Sequence, residues 1–382
     1  MKNIKIKKGS KFIPVFEPYI SFRDKLNVFK AINSKNISGT APIIDLFETK
    51  ISKFFESEKT VTVSNGSVAL DLAFKLLNLE KDDEIIIPSF TIISCLSAVV
   101  RSGAKPIFCD IDPDSWNMTL DDVKKVYTKN TKAILVVHTY GLPADVGKIK
   151  SFADEKNLIL IEDTAEAHGQ LFDGKLCGTF GAISTLSFYA NKHITTGEGG
   201  ALLINDKQYI EDALKMKNLD FDPKRRFQHD NLYWNYRLGG LQAALGISQV
   251  DNISKTIKNK INQAKIYNKI FESSEFIQIP LEEWKGSKNH YWVYGIILKK
   301  HSRDELQAYL LKNGIQTRRF FWPLHLQKAL PPKFSEQKYQ LPVSEQLGRD
   351  GLYLPMGNHL KRKDQEYIGS MINKFISTPP PS

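Results

Sequence analysis

Cysteine is scarce in this sequence, and long apolar runs are missing from it. The 382 residues include three cysteines, an odd number, and none of them forms a Cys-x-x-Cys pair. Neither a disulfide framework nor a zinc site is therefore predicted, and no metal is expected. No apolar run is long enough to span a bilayer, and the first residues lack the apolar core of a signal peptide. These absences favour a cytoplasmic protein that does not enter a membrane.

Acidic residues are in deficit, since 53 lysines and arginines outnumber 42 aspartates and glutamates, for a formal net charge of +11. A basic protein can bind nucleic acid, but here the bases are scattered, and no aromatic-interleaved basic motif accompanies them. No nucleic-acid partner is therefore predicted. A solvated basic surface explains most of the excess. Local binding of a polyanionic small substrate, such as a nucleoside diphosphate, is the sharper alternative.

Short apolar strands alternate with helical patterns through much of the first half of the chain. The apolar stretches are residues 61–63, 84–87, 106–109, 133–137 and 158–161. Strands that are apolar on both faces are typical of an α/β protein, with a mostly parallel central sheet covered by helices on both faces. Such folds bind ligands at the carboxyl ends of their strands, so the residues that follow each stretch deserve inspection.

The pattern changes near residue 240 and indicates a second, smaller unit. A long helical segment over 241–271 leads to an α/β portion with a strand over 291–298 and a helix over 303–312. The prediction divides the chain into four parts, which are an N-terminal arm (1–20), a large domain (21–245), a smaller C-terminal α/β domain (246–376) and a disordered tail (377–382).

Lys192 lies in the most informative stretch of the chain. An apolar run over residues 183–189 predicts a buried strand, and the two threonines and three glycines of residues 195–200 prevent regular structure after the lysine. Lysine is ordinarily a solvated surface residue. A partly buried lysine with a lowered pKa can instead act as a nucleophilic amine that forms a Schiff base with a carbonyl compound. Pyridoxal phosphate is the obvious such compound, and Ser187 could offer its hydroxyl to an anion.

That hypothesis requires a carboxylate and a phosphate site elsewhere, and the sequence offers both. Asp163 follows an apolar strand directly, where it could pair with a protonated ring nitrogen or simply cap the next turn. Gly66 and Ser67 follow another strand and open a helix, whose N-terminal N–H groups suit a phosphate monoester. An ordinary helix cap has the same appearance.

Several ordered motifs together resemble the DegT/DnrJ/EryC1/StrS family of nucleotide-sugar aminotransferases, over residues 37–356. They are residues 65–67 (Asn-Gly-Ser), 88–91 (Pro-Ser-Phe-Thr), 110–113 (Asp-Ile-Asp-Pro), 138–141 (His-Thr-Tyr-Gly), 162–167 (Glu-Asp-Thr-Ala-Glu-Ala), 195–200 (Thr-Thr-Gly-Glu-Gly-Gly) and 235–238 (Asn-Tyr-Arg-Leu), with Ser187 five residues before Lys192. Within the family, the chain most resembles the members that aminate C4 of GDP-4-keto-6-deoxymannose in O-antigen and lipopolysaccharide biosynthesis.

The resemblance implies an aspartate-aminotransferase-like fold of type I, pyridoxal phosphate as the cofactor, and a homodimer with active sites shared across the interface. It implies L-glutamate as amino donor and a nucleotide-linked keto sugar as acceptor. Lys192 would form the Schiff base with the cofactor, and Asp163 would pair with the pyridinium nitrogen. Gly66, Ser67 and Ser187 would hold the phosphate.

Further residues match family positions that face the cofactor or substrate. The resemblance implies that Asn235 reaches the phosphate from the neighbouring subunit and that Arg237 or Arg226 contacts substrate from there. Arg318 and His325 fall in a segment that resembles the substrate-facing C-terminal part of the family.

Two positions near the implied cofactor are distinctive. Ile92 stands where relatives usually place an aromatic residue on the cofactor ring, so an apolar cover is expected instead. Glu166 stands where many relatives carry histidine, and a supporting role near Asp163 is expected for Glu166 or for His168.

Other functions remain open at this point. The substrate could be a UDP- or dTDP-linked 3- or 4-keto sugar. A sugar 3-dehydratase of the same family would carry histidine in place of Lys192, although His193 lies next to it. A non-catalytic regulator that binds pyridoxal phosphate is disfavoured by the intact Lys192, Asp163 and Ser187. Residues 197–200 are not a phosphate loop, because no Gly-Lys-Ser/Thr follows them.

Overall fold

The structure is a computed structural model that describes residues 11–222, 224–335 and 338–378. Its strands, in chain order, are β1 (Lys59–Val63), β2 (Glu84–Pro88), β3 (Lys105–Cys109), β4 (Thr131–Val137), β5 (Ile159–Asp163), β6 (Leu171–Phe172), β7 (Lys175–Leu176), β8 (Ile183–Ser187), β9 (Gly200–Ile204), β10 (Ile277–Gln278), β11 (Glu283–Trp284), β12 (Ser287–Lys288), β13 (Tyr294–Leu298), β14 (Arg318–Arg319) and β15 (Gly351–Leu354).

Helices separate most of these strands. They are α1 (Phe22–Asn33), α2 (Pro42–Phe55), α3 (Gly66–Lys75), α4 (Ile93–Ser102), α5 (Leu120–Val126), α6 (Val146–Glu155), α7 (Ile210–Lys217), α8 (Gly240–Asp251), α9 (Ile253–Phe271), α10 (Arg303–Lys312), α11 (Pro332–Ser335), α12 (Pro342–Asp350) and α13 (Arg362–Ile376), with 3-10 turns at Thr139–Gly141, Lys207–Tyr209 and Leu324–Leu326. None of the helices in the described part of the chain has the length and apolar character needed to cross a bilayer.

The large sheet has seven strands in the order β1-β9-β8-β5-β4-β2-β3. The pairs from β8 to β3 are parallel, and β9 runs antiparallel to both of its neighbours. The predicted mostly parallel sheet is therefore confirmed. Each of these strands is almost wholly buried, because helices cover both faces of the sheet.

Alternate residues of one strand feed two different cores. Ile85 and Ile87 of β2 pack into the cluster that contains Leu70 and Phe74 of α3. Ile86, between them, packs into the cluster on the opposite face, with the side chains of α6. Because alternate side chains of a strand point to opposite faces, the strand packs against helices on both sides of the sheet. This packing holds the carboxyl ends of the strands in place.

The smaller sheet is antiparallel and has the order β10-β13-β15-β14. The helix predicted over 303–312 is confirmed as α10. The strand predicted over 291–298 begins only at Tyr294, because Tyr291 has a φ of 50° and cannot continue an extended chain.

The helical segment predicted over 241–271 consists of two helices, α8 and α9, which meet at Asn252. The predicted domain boundary at residue 245 falls within α8, and the four-part division of the chain stays a prediction. In the predicted arm, Ile13 pairs in parallel with Ile315 of the smaller unit. Residues 1–10 of the arm and residues 379–382 of the tail lie outside the described part.

Candidate active site

The chain turns sharply after β8 and brings Lys192 back to the edge of the large sheet. The Lys192 N–H donates to the carbonyl of Tyr189 at 2.9 Å, and the Thr195 hydroxyl donates to the carbonyl of Phe188 at 3.0 Å. Gly199 has a φ of 155°, and a Cβ there would lie 2.3 Å from the Thr196 hydroxyl. The Thr-Thr-Gly-Glu-Gly sequence therefore closes a loop that positions the lysine.

Lys192 is an almost buried amine with two close neighbours. Its Nζ lies 3.6 Å from Oε1 of Glu166 and 3.7 Å from the centre of the Trp292 ring, and 9% of its side chain is exposed. Burial lowers the pKa of Lys192, against the opposing charges of Glu166 and Asp163. An amine with a lowered pKa is neutral, and therefore nucleophilic, over a wider pH range than a surface lysine.

Glu166 is a buried acid that is poorly supplied with donors. One backbone N–H, from Tyr140, donates to its carboxylate at 3.0 Å. Burial raises its pKa from 4.5 to about 7, while the charge of Lys192 lowers it in part. Tyr140 has a φ of 61°, which directs its N–H into the site at a cost in backbone strain. Glu166 can therefore carry or release a proton near neutral pH beside the Lys192 amine.

Asp163 ends β5 and presents its carboxylate at the same edge. Its Oδ1 accepts from the Ala165 N–H at 3.0 Å, and the Cys95 thiol lies 3.5 Å from Oδ2. A thiol is a weak donor, so the second oxygen keeps acceptor capacity for a stronger partner. Asp163 is 4% exposed, a setting in which a protonated nitrogen would be a favourable partner.

Gly66, Ser67 and Ser187 form a compact cradle where β8 ends and α3 begins. A Cβ on Gly66 would lie 2.8 Å from Cβ of Ser187, so only glycine allows this approach. The Ser67 hydroxyl lies 2.7 Å from that of Ser94 in the first turn of α4. Two helix N-termini and three hydroxyls thus converge, and this set of donors suits a phosphate.

Ile92 lies at the N-cap of α4, directly before that turn, and is 40% exposed. Its exposed apolar side chain makes it available to cover a planar ligand. Its predicted role on the cofactor ring stays a prediction, since no contact in the structure bears on it.

Asn235, Arg237 and Arg226 lie on the segment between α7 and α8, away from the contacts of Lys192. Asn235 pairs with the backbone of Asn218, and the Arg237 guanidinium donates to the Asn218 side chain. Arg226 is exposed and lies over Phe227, with 5.5 Å from its guanidinium carbon to the ring centre. The structure does not bring these three residues to the lysine of their own chain.

Arg318 and His325 lie on the side of the site that the smaller unit provides. The Arg318 guanidinium lies 5.0 Å from the centre of the Phe16 ring, and Arg318 pairs with Tyr353 between β14 and β15. His325 is held between the Ser89 hydroxyl, 2.7 Å from Nδ1, and Oε1 of Glu345, 3.3 Å from Nε2. Their predicted contacts with substrate stay predictions.

Two residues of the motif around Asp163 belong to the supporting core. Glu162 accepts from Nε2 of His138 at 3.0 Å, because Nδ1 of that histidine accepts from the Ala144 N–H and the proton lies on Nε2. His168 is fully buried, and burial followed by the charge of Lys192 lowers its pKa to about 3. His168 is therefore neutral, and both histidines are buried parts of the scaffold.

The sequence alone gave no indication of Trp292, Cys95 or the Tyr140 N–H as part of the site. Trp292 lies 100 residues beyond Lys192 in a stretch that resembles the start of an ordinary strand. Cys95 forms no motif, and a backbone N–H has no sequence signature.

The arrangement fits pyridoxal phosphate. Lys192 offers an amine, Asp163 keeps one carboxylate oxygen free of strong donors among the described residues, and Ser67 and Ser187 lie at the phosphate cradle. These groups occupy the carboxyl ends of parallel strands, where ligands bind in such sheets. The fold and the site together define an enzyme of fold type I that depends on pyridoxal phosphate.

Comparison with known proteins narrows that class. The chain belongs to the DegT/DnrJ/EryC1/StrS aminotransferase family, whose model matches residues 19–373, and the family resemblance of its motifs is thereby confirmed. It is 38% identical to the GDP-perosamine synthase of Escherichia coli O157:H7, over 96% of this chain and 99% of that protein. It is 37% identical to the GDP-perosamine synthase of Vibrio cholerae, over 90% of this chain and 93% of that one.

A solved structure supports the same assignment. The aminotransferase TlmJ from Streptoalloteichus hindustanus is 27% identical and superposes with a TM-score of 0.90, covering 96% of this chain and 99% of the other. The protein is therefore a pyridoxal-phosphate-dependent aminotransferase.

Proposed function

We propose that the protein transfers an amino group from L-glutamate to the 4-keto carbon of a nucleotide-linked 4-keto-6-deoxy sugar. GDP-4-keto-6-deoxymannose is the proposed acceptor and GDP-perosamine the product. The two GDP-perosamine synthases at 37% and 38% identity, each matched over at least 90% of both chains, support this choice. The reaction would take place in the cytoplasm and supply an amino sugar for O-antigen in lipopolysaccharide.

The observation that carries the proposal is the Lys192 amine held beside the Glu166 carboxylate, at 3.6 Å, with Asp163 at the end of the adjacent strand. Transamination needs an amine that can attach to a carbonyl, leave it, and then move a proton. Burial lowers the pKa of Lys192, which suits it to these tasks. A binding protein without turnover would have no need of such an amine.

Pyridoxal phosphate, when bound, supplies an aldehyde for attachment and a ring that accepts electrons from the bonded carbon. Lys192 would hold the aldehyde and, once released, would shuttle a proton between the donor or acceptor carbon and the cofactor. Asp163 would hold a proton on the ring nitrogen. Gly66, Ser67 and Ser187 would bind the phosphate.

Glu166 and Ile92 complete the proposed cofactor contacts of the chain. Burial raises the pKa of Glu166 to about 7, so this residue would exchange a proton with a polar group on the cofactor ring. Ile92 would cover the ring with an apolar face. Arg318 and His325 would bind substrate from the smaller unit.

We also propose that the protein works as a homodimer. Exposed apolar residues lie on one helix, α1, and include Phe22 (81% exposed) and Phe29 (60% exposed), a pattern that suits a buried interface. Asn235 would then reach the phosphate of the neighbouring subunit, and Arg226 or Arg237 would contact its substrate. That these residues lie away from the lysine of their own chain is consistent with this arrangement.

A sugar 3-dehydratase is the competing function within the family, and His193 is the residue it would draw on. His193 is 1% exposed, and its Nε2 lies 3.3 Å from the carbonyl of His290. Burial lowers its pKa well below the usual value. These contacts keep His193 in the core, so Lys192 remains the better candidate for the reacting group.

Borohydride reduction of the protein with its cofactor, followed by peptide mapping, tests the role of Lys192. The label is expected on Lys192 alone. A label on another lysine, or no label, would remove Lys192 from the proposal.

Incubation with glutamate and a panel of GDP-, UDP- and dTDP-linked 3-keto and 4-keto sugars tests the substrate. The expected product, identified by mass and NMR, is GDP-perosamine. Turnover restricted to a UDP- or dTDP-linked sugar would overturn the choice of nucleotide but not the assignment of the protein as an aminotransferase. Loss of the 3-hydroxyl without amination would favour the dehydratase.

A further inference from the structure

Trp292 presents the face of its ring to the Lys192 amine, yet it belongs to no motif of the sequence. The centre of its ring lies 3.7 Å from Nζ of Lys192, and Oε1 of Glu166 lies 3.6 Å from the same atom. Its indole N–H donates to the carbonyl of Asn191 at 3.1 Å. One residue therefore contacts both the amine of Lys192 and the peptide that precedes it.

The backbone of Trp292 is held in place by a second buried lysine. Nζ of Lys260, on α9, donates to the carbonyl of Trp292 at 2.6 Å. Burial, followed by the charge of Lys192, lowers the pKa of Lys260 to about 7. The amine of Lys260 donates an N–H whether it is charged or neutral, so this anchor persists on both sides of that pKa.

Two tyrosines confine the ring on its other side. The ring centre of Tyr140 lies 5.9 Å from that of Trp292, and the ring centre of Tyr353 lies 6.4 Å from it. Trp292 is 5% exposed. The backbone carbonyl and the indole N–H of Trp292 are both hydrogen-bonded, and its ring is packed against two others, so its orientation relative to Lys192 is restricted.

We propose that Trp292 is a positioning residue for Lys192, whose ring face holds the amine in its ammonium form beside Glu166 whenever the amine is not bonded to the cofactor. The face of an indole ring attracts a cation and gives little to a neutral amine. The ring would therefore favour the state in which Lys192 has just accepted a proton. This inference rests on the proposed role of Lys192 as the proton-carrying amine.

Some of the surroundings of Lys192 favour its ammonium form, and others disfavour it. Burial disfavours the ammonium form, whereas Glu166 and Asp163 favour it. Lys260, when protonated, disfavours it, and His168 is neutral because its pKa is about 3. Trp292 favours the ammonium form without titrating itself. Its removal should therefore move the titration of Lys192 and add no second step.

Competitive acetylation across a pH series measures this directly. The full-length chain, freed of cofactor, is labelled with a trace of acetic anhydride, and the label on each lysine is quantified by peptide mapping. In Trp292→Leu we expect the pKa of Lys192 to fall by about 1 unit, since a desolvated cation–π contact is lost. Trp292→Phe keeps a weaker ring and should restore about half of that shift.

Trp284 provides a matched control. It also lies under a lysine, with Nζ of Lys285 at 4.3 Å from the ring centre, but on the separate β11–β12 hairpin. Trp284→Leu should leave the pKa of Lys192 unchanged. Near-ultraviolet circular dichroism of each variant establishes that it is folded.

An unchanged pKa for Lys192 in a folded Trp292→Leu variant would overturn the proposal and leave Trp292 as packing only. Should that variant fail to fold, Trp292→Phe decides alone, because an unshifted or raised pKa there contradicts the proposal. Borohydride mapping of the wild-type holoenzyme keeps the two proposals apart. If the label misses Lys192, the proposed function fails. If the label lies on Lys192 and the pKa does not move, only this inference fails.

Discussion

Glu162 and Glu166 lie four residues apart and are both buried, but their surroundings give them opposite properties. Glu162 faces His138 and Glu166 faces Lys192, so each carboxylate has a basic side chain as its partner. Burial alone would raise the pKa of Glu162, yet His138 and backbone N–H groups lower it overall. For Glu166, burial prevails and raises the pKa to about 7. Burial therefore does not decide the charge of an acid by itself.

The difference lies in the number of donors. The Glu162 carboxylate accepts from the backbone N–H groups of Gly178, Phe180 and Gly181 at 2.7–2.8 Å, in addition to His138. Glu166 accepts from one backbone N–H and lies 3.6 Å from Lys192. A fully supplied carboxylate is fixed as an anion and holds the fold together. An undersupplied one keeps its proton within reach of neutral pH and is available for chemistry.

The largest expected effect concerns the partner of Glu166. Lys192→Ala should abolish transamination, with a loss of about 10³-fold or more, because no other amine takes over attachment and proton transfer. Its folding stability should stay within about 1 kcal/mol of the wild type, since Glu166 can take up a proton once its cation is gone. Single-turnover assays with glutamate and urea denaturation measure the two quantities.

Lys217 offers the contrasting control, a nearly buried lysine that donates to Glu48 at 2.7 Å, in a network in which Glu48 also accepts from Thr62 of β1. Lys217→Ala should lower the free energy of unfolding by about 3 kcal/mol and leave the specific activity of the folded protein unchanged. If Lys192→Ala turned over at the wild-type rate, Lys192 would not be the reacting lysine, and it would not differ from Lys217 in its role.

In contrast to Lys192→Ala, the substitution Glu162→Gln should lower the stability of the fold and leave the reaction nearly unchanged. The amide would turn an NH₂ group towards backbone N–H donors and would lose the charge that those donors stabilise. We expect the free energy of unfolding to fall by about 3 kcal/mol, while activity of the folded protein stays within about twofold. Guanidinium denaturation with activity at low temperature tests this. A stable variant with greatly reduced turnover would place Glu162 among the reacting groups instead.

The sequence predicted the fold and the ends of the strands better than it predicted the lining of the site. Strands that are apolar on both faces predict a parallel sheet covered by helices, because the residues of a strand themselves indicate whether both of its faces are buried. The motifs also predicted that Lys192 and Asp163 lie at the edge of that sheet, because Asp163 ends one strand and Lys192 follows another by a short loop.

Trp292 and Cys95 could not have been predicted in this way. Each contacts the site through packing between elements that are distant in sequence, and neither has a local pattern that distinguishes it from a core residue. The divided helix at Asn252 and the late start of β13, after the φ of 50° at Tyr291, are local backbone changes that the apolar pattern does not show. The opposite pKa shifts of Glu162 and Glu166 depend on where backbone N–H groups lie, and a sequence does not show their positions.

The smallest expected effect isolates the raised pKa of Glu166. Its pKa is about 7 in the folded chain and near 4.5 when the chain is unfolded, so between these values the folded state binds more protons. The associated stability is fully present below about pH 4.5 and is lost as the pH rises through about 7. Glu166→Gln cannot ionise, so this loss disappears. At pH 8 the cofactor-free variant should therefore be more stable than the wild type by about 1–3 kcal/mol.

Thermal melts of both proteins at pH 5 and pH 8 measure the difference, which should be small at pH 5 and largest at pH 8. Glu162, whose pKa is lowered, makes the opposite contribution, since its stabilising charge is present above about pH 4.5 and lost below it. Glu162→Gln should therefore lose most relative to the wild type at the higher pH, where Glu166→Gln gains. If both variants lost stability at pH 8, Glu166 would be an ordinary paired anion, because only an acid that resists ionisation gains from being neutralised.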